Sequence, residues 1–199
     1  MARRADHSRE ELVELVIEAA RQMIATQGVD KLSARALSAA IGYTPGTLYN
    51  HFKDLDDIVT AVNGGTLKAL GEAFAAAERS DDPRRMLHSY ADAFLGFLRD
   101  NANLWNALFE FRRAEGVAVP QWYVDTISGL LRILAACFMQ IRPTANPQQA
   151  AHAAQLVFAS IHSVSSLQNS GRLALVMDRD IGVVVHDLID IHIKAFAQG

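Results

Sequence analysis

The side chains with the clearest capacity for recognition chemistry lie in one short segment, residues 44–52. Its polar and special residues are Thr44, Pro45, Gly46, Thr47, Tyr49, Asn50 and His51. Hydroxyl and amide groups donate or accept hydrogen bonds at phosphates and at the edges of bases. Because most of these side chains are short, a helix that carries them approaches a DNA groove closely, and its N-terminal end attracts phosphate.

Two short helices are expected to position these groups. The first starts at Ser33 and stops near Gly42, and the second starts at Thr44, with Pro45 in its first turn, and closes around Phe52. The predicted inward residues are Leu37, Ala40 and Ile41 in the first helix and Leu48 and Phe52 in the second. Neither helix buries much apolar surface by itself, so both must pack on the predicted helices before and after them in the chain. This arrangement predicts a helix-turn-helix, although the spacing alone also fits helix pairs of other all-α proteins.

The full residue string adds a family resemblance. The run Thr44-Pro-Gly-Thr-Leu-Tyr-Asn-His-Phe resembles the recognition helix of TetR-type transcription regulators, and Ser33-Ala-Arg-Ala-Leu-Ser-Ala-Ala-Ile-Gly resembles the helix before it. The resemblance implies a homodimer that binds operator DNA and senses a small molecule. It implies that Ser33 and Arg35 contact the DNA backbone or base edges, that Thr44, Tyr49 and His51 contact phosphates, and that Pro45, Gly46, Thr47 and Asn50 face the bases. It further implies repression, with activation left open.

One position departs from the family pattern. Leu55 stands where the family usually has a phosphate-binding lysine, and Lys53 is the candidate substitute. The acidic residues that follow would repel phosphates: Asp54, Asp56 and Asp57. We therefore expect weaker or more salt-sensitive DNA binding, with compensation in a minor groove by the N-terminal arm that carries Arg3, Arg4 and Arg9.

Helical signals run through nearly the whole chain. Alanine and leucine are plentiful and prolines number only 5, and apolar residues recur at three- and four-residue spacing. We predict an all-α fold of about nine helices, with one helix ending near Asp100 and a separate one starting near Asn103. Residues 1–53 form the predicted DNA-binding domain, and residues 54–199 form the predicted ligand-binding and dimerisation domain. The net charge of −3 means that nucleic acid must be bound by a local patch.

The last two predicted helices, about 147–169 and 179–197, suggest the dimer interface. The final helix has apolar residues on more than one face: Ile181, Val184, Val185, Leu188, Ile189, Ile191, Ile193 and Phe196. The helix before it is rich in alanine and serine, which let helices approach closely. Two such helices from each chain would form a four-helix interface, and the alternative is that both faces pack within one chain.

Aromatic residues of the middle helices suggest a pocket for a small, largely apolar ligand. The predicted ligand-binding residues are Phe94, Phe97, Trp105, Phe109, Trp122, Phe138 and His162. Arg112 and Arg113 are further candidates for polar contacts. The alternative for each apolar residue is an ordinary place in the core, and for His162 a structural role.

Other classes of protein find little support in the sequence. There is no G-x-S-x-G elbow, no glycine-rich phosphate loop and no H-E-x-x-H zinc helix, and Cys137 is the only cysteine. We therefore expect no enzyme activity, no cofactor and no metal. We expect no apolar run to approach the roughly 20 residues of a membrane span, and no signal peptide is recognisable, so a cytoplasmic location is expected. A helical interaction protein that has lost DNA binding is the remaining rival, and only Leu55 supports it.

Overall fold

The structure is a computed structural model that describes residues 7–111 and 118–198, with Glu110 described in its backbone only. Over these residues the secondary structure is helical and contains no strand. The helices are α1 Arg9–Gln27, α2 Ala34–Ile41, α3 Pro45–Tyr49, α4 Leu55–Ala76, α5 Pro83–Glu110, α6 Gln121–Ile141, α7 Pro147–Asn169 and α8 Ile181–Gln198, with 3-10 turns at Val29–Lys31 and Leu173–Leu175. The predicted all-α fold is confirmed.

The eight α-helices of the described residues agree closely with the predicted count of about nine, and the difference arises because two expected helices are joined. Helix α5 continues through the point near Asp100 where a break was predicted, and Asn101 has non-helical backbone angles there, φ −133° and ψ 27°. A kink therefore takes the place of a loop. Helix α4 likewise runs through Gly64 and Gly65 without interruption.

Local side-chain caps fix the starts of two helices. Ser8 Oγ accepts a hydrogen bond from the Glu11 amide at 3.2 Å, and Glu11 Oε2 accepts one from the Ser8 amide at 2.7 Å. Asn146 and Gln149 form the same reciprocal box at α7, at 2.9 and 3.0 Å. Each box satisfies two amides that a helix start leaves without partners.

The chain divides into two compact units, of which the first comprises Met1–Leu67 and Asn101–Ala118. Its core joins α1 and the α2–α3 pair to the first half of α4 and includes Leu104 and Ala107. Two amide side chains support the placement of this later segment. Asn103 Nδ2 donates to the Ala25 carbonyl at 2.9 Å, and Asn63 Nδ2 donates to the Ala107 carbonyl at 3.4 Å.

The second unit comprises Lys68–Asp100 and Val119–Gly199. In it α7 packs on α6 and α8, and α8 also contacts α6. Arg142 secures the end of α8, since its Nη1 donates to the Phe196 carbonyl at 2.9 Å and its guanidinium lies 4.6 Å from the centre of the Phe196 ring. The domain boundary predicted between residues 53 and 54 stays a prediction.

Helix α6 is long and apolar enough to cross a membrane by length and composition alone. Its most apolar 18-residue window has a mean hydropathy of 1.5, and 17% of that window is buried. The expectation that no apolar run approaches this length was wrong for α6. A single helix of this kind is weak evidence for a membrane, since core helices of soluble proteins share these properties, and Asp125 and Arg132 interrupt its apolar surface.

Candidate functional site

Local interactions set the geometry of the α2–α3 pair. Ser33 Oγ accepts from the Ala36 amide at 3.2 Å and caps the start of α2. Gly42 ends α2 with φ 76° and ψ 24°, a left-handed conformation that glycine adopts at little cost. Pro45 occupies the first turn of α3, where its missing N–H leaves no hydrogen bond unmade. The sequence therefore builds a tight turn between the two helices.

Buried side chains anchor this pair in the first unit. Leu37, Leu48 and Phe52 are buried, as predicted, and they join the core formed with α1 and α4. The predicted inward stripe of α2 needs a correction, because Ala40 is exposed and Ser38 is buried in its place. The helix tolerates this polar side chain because Ser38 Oγ donates to the Arg35 carbonyl at 3.1 Å.

The opposite side of the pair is open to solvent. The predicted DNA-binding residues that are exposed are Ser33, Arg35, Thr44, Pro45, Gly46, Tyr49, Asn50 and Lys53. Thr47 and His51 are partly buried. The hydroxyls of Thr44 and Thr47 lie 3.1 Å apart, and the Tyr49 side chain is 48% exposed although it follows the fully buried Leu48. Helix α3 thus presents exposed hydroxyl, amide and phenol groups, and the exposed cations Arg35 and Lys53 precede and follow it in the sequence.

The acidic segment after α3 has a structural role at the start of α4, which the spacing of Asp54 and Asp57 in the sequence predicts. Asp54 Oδ1 accepts from the Asp57 amide at 2.9 Å, and Asp57 Oδ2 accepts from the Lys53 amide at 3.3 Å. These contacts hold carboxylates at the start of α4, where the helix dipole favours negative charge. Leu55, at the position of the family's lysine, packs against the core of the first unit.

A contact distant in sequence holds the start of the described chain against the turn. His7 Nδ1 lies 2.8 Å from the Tyr43 hydroxyl, and the two rings are 6.2 Å apart. No pattern in the sequence links these positions. Arg9 is exposed at the first turn of α1, whereas Arg3 and Arg4 of the predicted arm lie outside the described residues.

The seven residues predicted to bind a ligand are divided between the two units. Trp105 and Phe109 belong to the first unit, with ring centroids 5.2 Å apart. The other five belong to the second: Phe94, Phe97, Trp122, Phe138 and His162. Trp122 and Phe109 are about half exposed, Phe94, Phe97, Trp105 and Phe138 are buried, and His162 is partly buried. His162 stacks on Phe158 at 5.9 Å, and burial lowers its pKa. Arg112 and Arg113 lie outside the described residues.

A cavity of about 450 Å³ opens within the second unit. Its lining residues are Arg79, Ser80, Asp81, Met86, Tyr90, Ile133, Ala136, Cys137 and Gln140. None of the seven predicted residues lines it. Burial raises the pKa of the Cys137 thiol to about 11, so this wall of the cavity carries a neutral thiol at physiological pH. The lining combines apolar side chains, such as Met86 and Ile133, with the charged side chains of Arg79 and Asp81.

Comparison with known proteins decides the family. The profile of the bacterial regulatory proteins of the tetR family matches residues 16–62, and that of the tetracyclin repressor-like C-terminal domain matches residues 87–191. The second match alone covers more than half of the chain. The chain belongs to the TetR family. None of the curated proteins matches it in sequence.

Solved structures share this TetR fold at low sequence identity. A protein of unknown function from Rhodococcus sp. has 21% identity and a TM-score of 0.74, with 99% of this chain and 100% of that chain covered. A tetR-family transcriptional regulator from Streptomyces coelicolor has 13% identity and a TM-score of 0.69, over 96% and 89%. A TetR variant from Acinetobacter baumannii, in complex with minocycline, has 19% identity and a TM-score of 0.65, over 92% and 94%.

Membership of the TetR family confirms the general predictions. The chain is a transcription regulator with an N-terminal DNA-binding region and a C-terminal ligand-binding region, and it is not an enzyme. The helix-turn-helix of the family corresponds here to α2 and α3, which lie inside the first matched range. The individual DNA-binding and ligand-binding residues stay predictions.

Proposed function

We propose that this TetR-family regulator is a repressor that binds a near-palindromic operator as a homodimer and releases it when a small molecule occupies the C-terminal unit. The observation that supports this most directly is the exposed polar edge of α3, held rigidly by the buried Leu48 and by the turn at Gly42. A repressor of this kind acts on chromosomal DNA, and a cytoplasmic location is part of the proposal.

The proposed DNA contacts follow from exposure and chemistry along α2 and α3. Arg35 and Lys53 are the exposed cations nearest to this edge in sequence, and we assign them to phosphates. Tyr49 presents a hydroxyl for a further phosphate. Thr47 and Asn50 supply the hydroxyl and amide that read base edges in the major groove.

Anisotropy titrations with labelled DNA from the region upstream of the protein's own gene test these roles. Arg35→Ala is expected to reduce the slope of log affinity against log salt concentration by about one, since one phosphate contact is lost. Asn50→Ala is expected to relax base preference at one operator position, at a cost of about 1–3 kcal/mol.

A matched control separates these contacts from general changes in charge. Arg99 is an arginine of the second unit whose side chain is 80% exposed. Arg99→Ala changes the net charge by the same amount and should leave the salt slope unchanged. Equal slopes for the Arg35 and Arg99 variants would contradict the assigned DNA-binding face.

The proposed dimer forms through α7 and α8. Leu156 on α7 and Val183 and Ile191 on α8 are 44%, 47% and 62% exposed. Exposed small residues, Ala159 and Ser163, lie on α7 beside them in sequence. A contiguous exposed apolar patch marks an interaction site, and binding of a near-palindromic operator requires two copies whose α3 helices lie about 34–36 Å apart, one turn of DNA.

Sedimentation velocity tests the dimer interface. Ile191→Asp is expected to give monomers at micromolar concentration, because a buried unpaired charge is costly. Val124 on α6 is also an exposed apolar residue, at 42%, and Val124→Asp should leave the dimer intact. A monomeric wild-type protein, or an intact dimer in the Ile191 variant, would refute this part of the proposal.

The cavity of the second unit is the proposed ligand site, since its volume falls within the usual range for small-molecule pockets. Met86, Ile133 and Ala136 suit an apolar body, and Arg79 suits a polar or anionic group at the rim. A ligand that favours the form unable to bind DNA would lower operator affinity.

Screening metabolites for a rise in Tm would identify the ligand. Ala136→Trp, which fills the cavity, is expected to abolish the rise and to leave operator binding intact. A ligand whose effect survives Ala136→Trp and is lost in Phe97→Ala would instead favour the aromatic residues predicted from the sequence.

A further inference from the structure

A buried tyrosine lines the cavity of the second unit. Tyr90 lies on α5 and is 7% exposed, and its ring packs against Phe74 with the ring centroids 5.2 Å apart. Within the part of the chain that the structure describes, no group hydrogen-bonds the Tyr90 hydroxyl. The hydroxyl oxygen is not fully enclosed by protein. Because Tyr90 is otherwise buried, this unpaired hydroxyl faces the cavity.

The unpaired hydroxyl of Tyr90 calls for a partner from outside the protein. A buried hydroxyl without a hydrogen bond costs free energy. Phenylalanine at this position would fill the same space and keep the contact with Phe74 without that cost. A water molecule or a ligand group must supply the missing bond, and a ligand that displaces the water keeps its affinity only if it reproduces the hydrogen bond.

The side chains around Tyr90 favour an apolar ligand body. Met86 and Cys137 are 7% and 5% exposed, and Ile133 lines the cavity with them. A thioether, a neutral thiol and an alkyl group offer contact surface and little capacity for strong hydrogen bonds. In this part of the cavity the phenol of Tyr90 is therefore the group that distinguishes a polar ligand atom from an apolar one.

The solvent-exposed side of the cavity offers a different chemistry. Arg79 is exposed, and its Nη2 donates to the Ala75 carbonyl at 3.2 Å. The guanidinium has five N–H donors, so several stay available in a geometry that matches a carboxylate. Asp81 lines the same side with the opposite charge. A carboxylate is thus held by directed hydrogen bonds from Arg79 and gains little from the net charge of this side.

We propose that the ligand of this cavity is a small carboxylic acid with an apolar body and, at the end remote from the carboxylate, a hydroxyl or carbonyl oxygen that hydrogen-bonds Tyr90. The inference rests on the proposed use of this cavity as the ligand site. The carboxylate meets Arg79, and the body lies against Met86 and Ile133. Tyr90 donates to a carbonyl, and it donates to or accepts from a hydroxyl. An acid of the same size without that oxygen leaves Tyr90 unpaired and binds less tightly.

Two matched pairs of acids test the role of Tyr90 by calorimetric titration of the full-length protein. The pairs are para-hydroxycinnamate with cinnamate and ω-hydroxydecanoate with decanoate. In at least one pair the hydroxylated acid is expected to bind wild type roughly two- to tenfold more tightly, the effect of one hydrogen bond. Tyr90→Phe should remove this preference. Tyr123→Phe, which alters a tyrosine of α6 outside the cavity lining, should keep it.

Two results of these titrations would overturn the proposal. One is the same preference in wild type and in Tyr90→Phe, and the other is no binding of any of the four acids. Arg79→Gln tests the carboxylate contact and should weaken both acids of a pair by a similar factor. Arg85 is an arginine of α5 outside the cavity lining, and its side chain is 82% exposed. Equal affinities in Arg79→Gln and Arg85→Gln would contradict the carboxylate.

Thermal unfolding without any acid provides an independent test of Tyr90. Tm of Tyr90→Phe should equal or exceed that of wild type, because an unpaired hydroxyl is removed and the ring contact with Phe74 is kept. A clear fall in Tm would mean that the protein itself pairs the hydroxyl, which would overturn the proposal. A metabolite whose effect survives Tyr90→Phe and is lost in Ala136→Trp would overturn the role of Tyr90 and leave the cavity as the ligand site.

Discussion

Gly42 and Gly65 lie in the same compact unit but have different backbone conformations, so replacing each by alanine tests the effect of conformation alone. Gly42 has φ 76° in the turn before α3, whereas Gly65 lies inside α4. A Cβ atom at either position would meet no heavy atom within 4 Å, so crowding contributes nothing and backbone conformation alone decides the effect. Alanine in the left-handed region costs about 1–2 kcal/mol, and alanine in place of a mid-helix glycine gains about 0.5–1 kcal/mol.

Opposite shifts in stability are therefore expected. Gly42→Ala should lower the free energy of unfolding by about 1 kcal/mol, after allowance for the reduced entropy of the unfolded chain, and Gly65→Ala should raise it by a similar amount. Urea denaturation at one fixed protein concentration measures both variants, since a dimer's apparent stability depends on concentration. Operator affinity of Gly42→Ala should fall as well, because this turn orients α3.

The result that would refute this reasoning is a shift of both variants in the same direction. Equal destabilisation would mean that Gly65 has a packing role which the open space around it does not suggest. Stabilisation of Gly42→Ala would mean that the turn between α2 and α3 does not adopt the left-handed conformation on which the placement of α3 depends.

Three further outcomes are expected. Leu48→Ala should destabilise the protein by about 2–5 kcal/mol in urea, since Leu48 is fully buried, whereas Leu175→Ala, at 82% exposure, should change stability by less than about 0.5 kcal/mol. Hydrogen bonds from Arg21 and Gln22 lower the pKa of Glu18 from 4.5 to about 2. The ionised Glu18 side chain stabilises the fold by at most about 1 kcal/mol, because the pair with Arg21 is so exposed. This contribution is present above pH 4.5 and is lost as the pH falls toward 2. The difference in unfolding free energy between wild type and Glu18→Gln should therefore shrink over that pH range. The Cys137 thiol, with its pKa raised from 9.0 to about 11, should react with a disulfide reagent at pH 8 about a hundredfold more slowly in the folded protein than in urea; equal rates would contradict its burial.

The sequence by itself determined the features that depend on neighbours three or four residues apart. The capping boxes at Ser8 and Asn146, the left-handed Gly42 and the proline at the start of α3 all act within one helical turn. The recognition segment was predictable for the same reason, because Leu48 and Tyr49 alternate between buried and exposed sides within five residues of helix.

Only the tertiary structure decided which distant segments share a unit. Residues 101–111 join the DNA-binding unit through Asn103 and Asn63, so Trp105 and Phe109 belong to a different compact unit from the other predicted ligand residues. The pairing of His88 with Asp190 likewise spans 102 positions. Such contacts depend on how helices pack in three dimensions, and apolar periodicity identifies the side of a helix that is buried without identifying the segment that buries it.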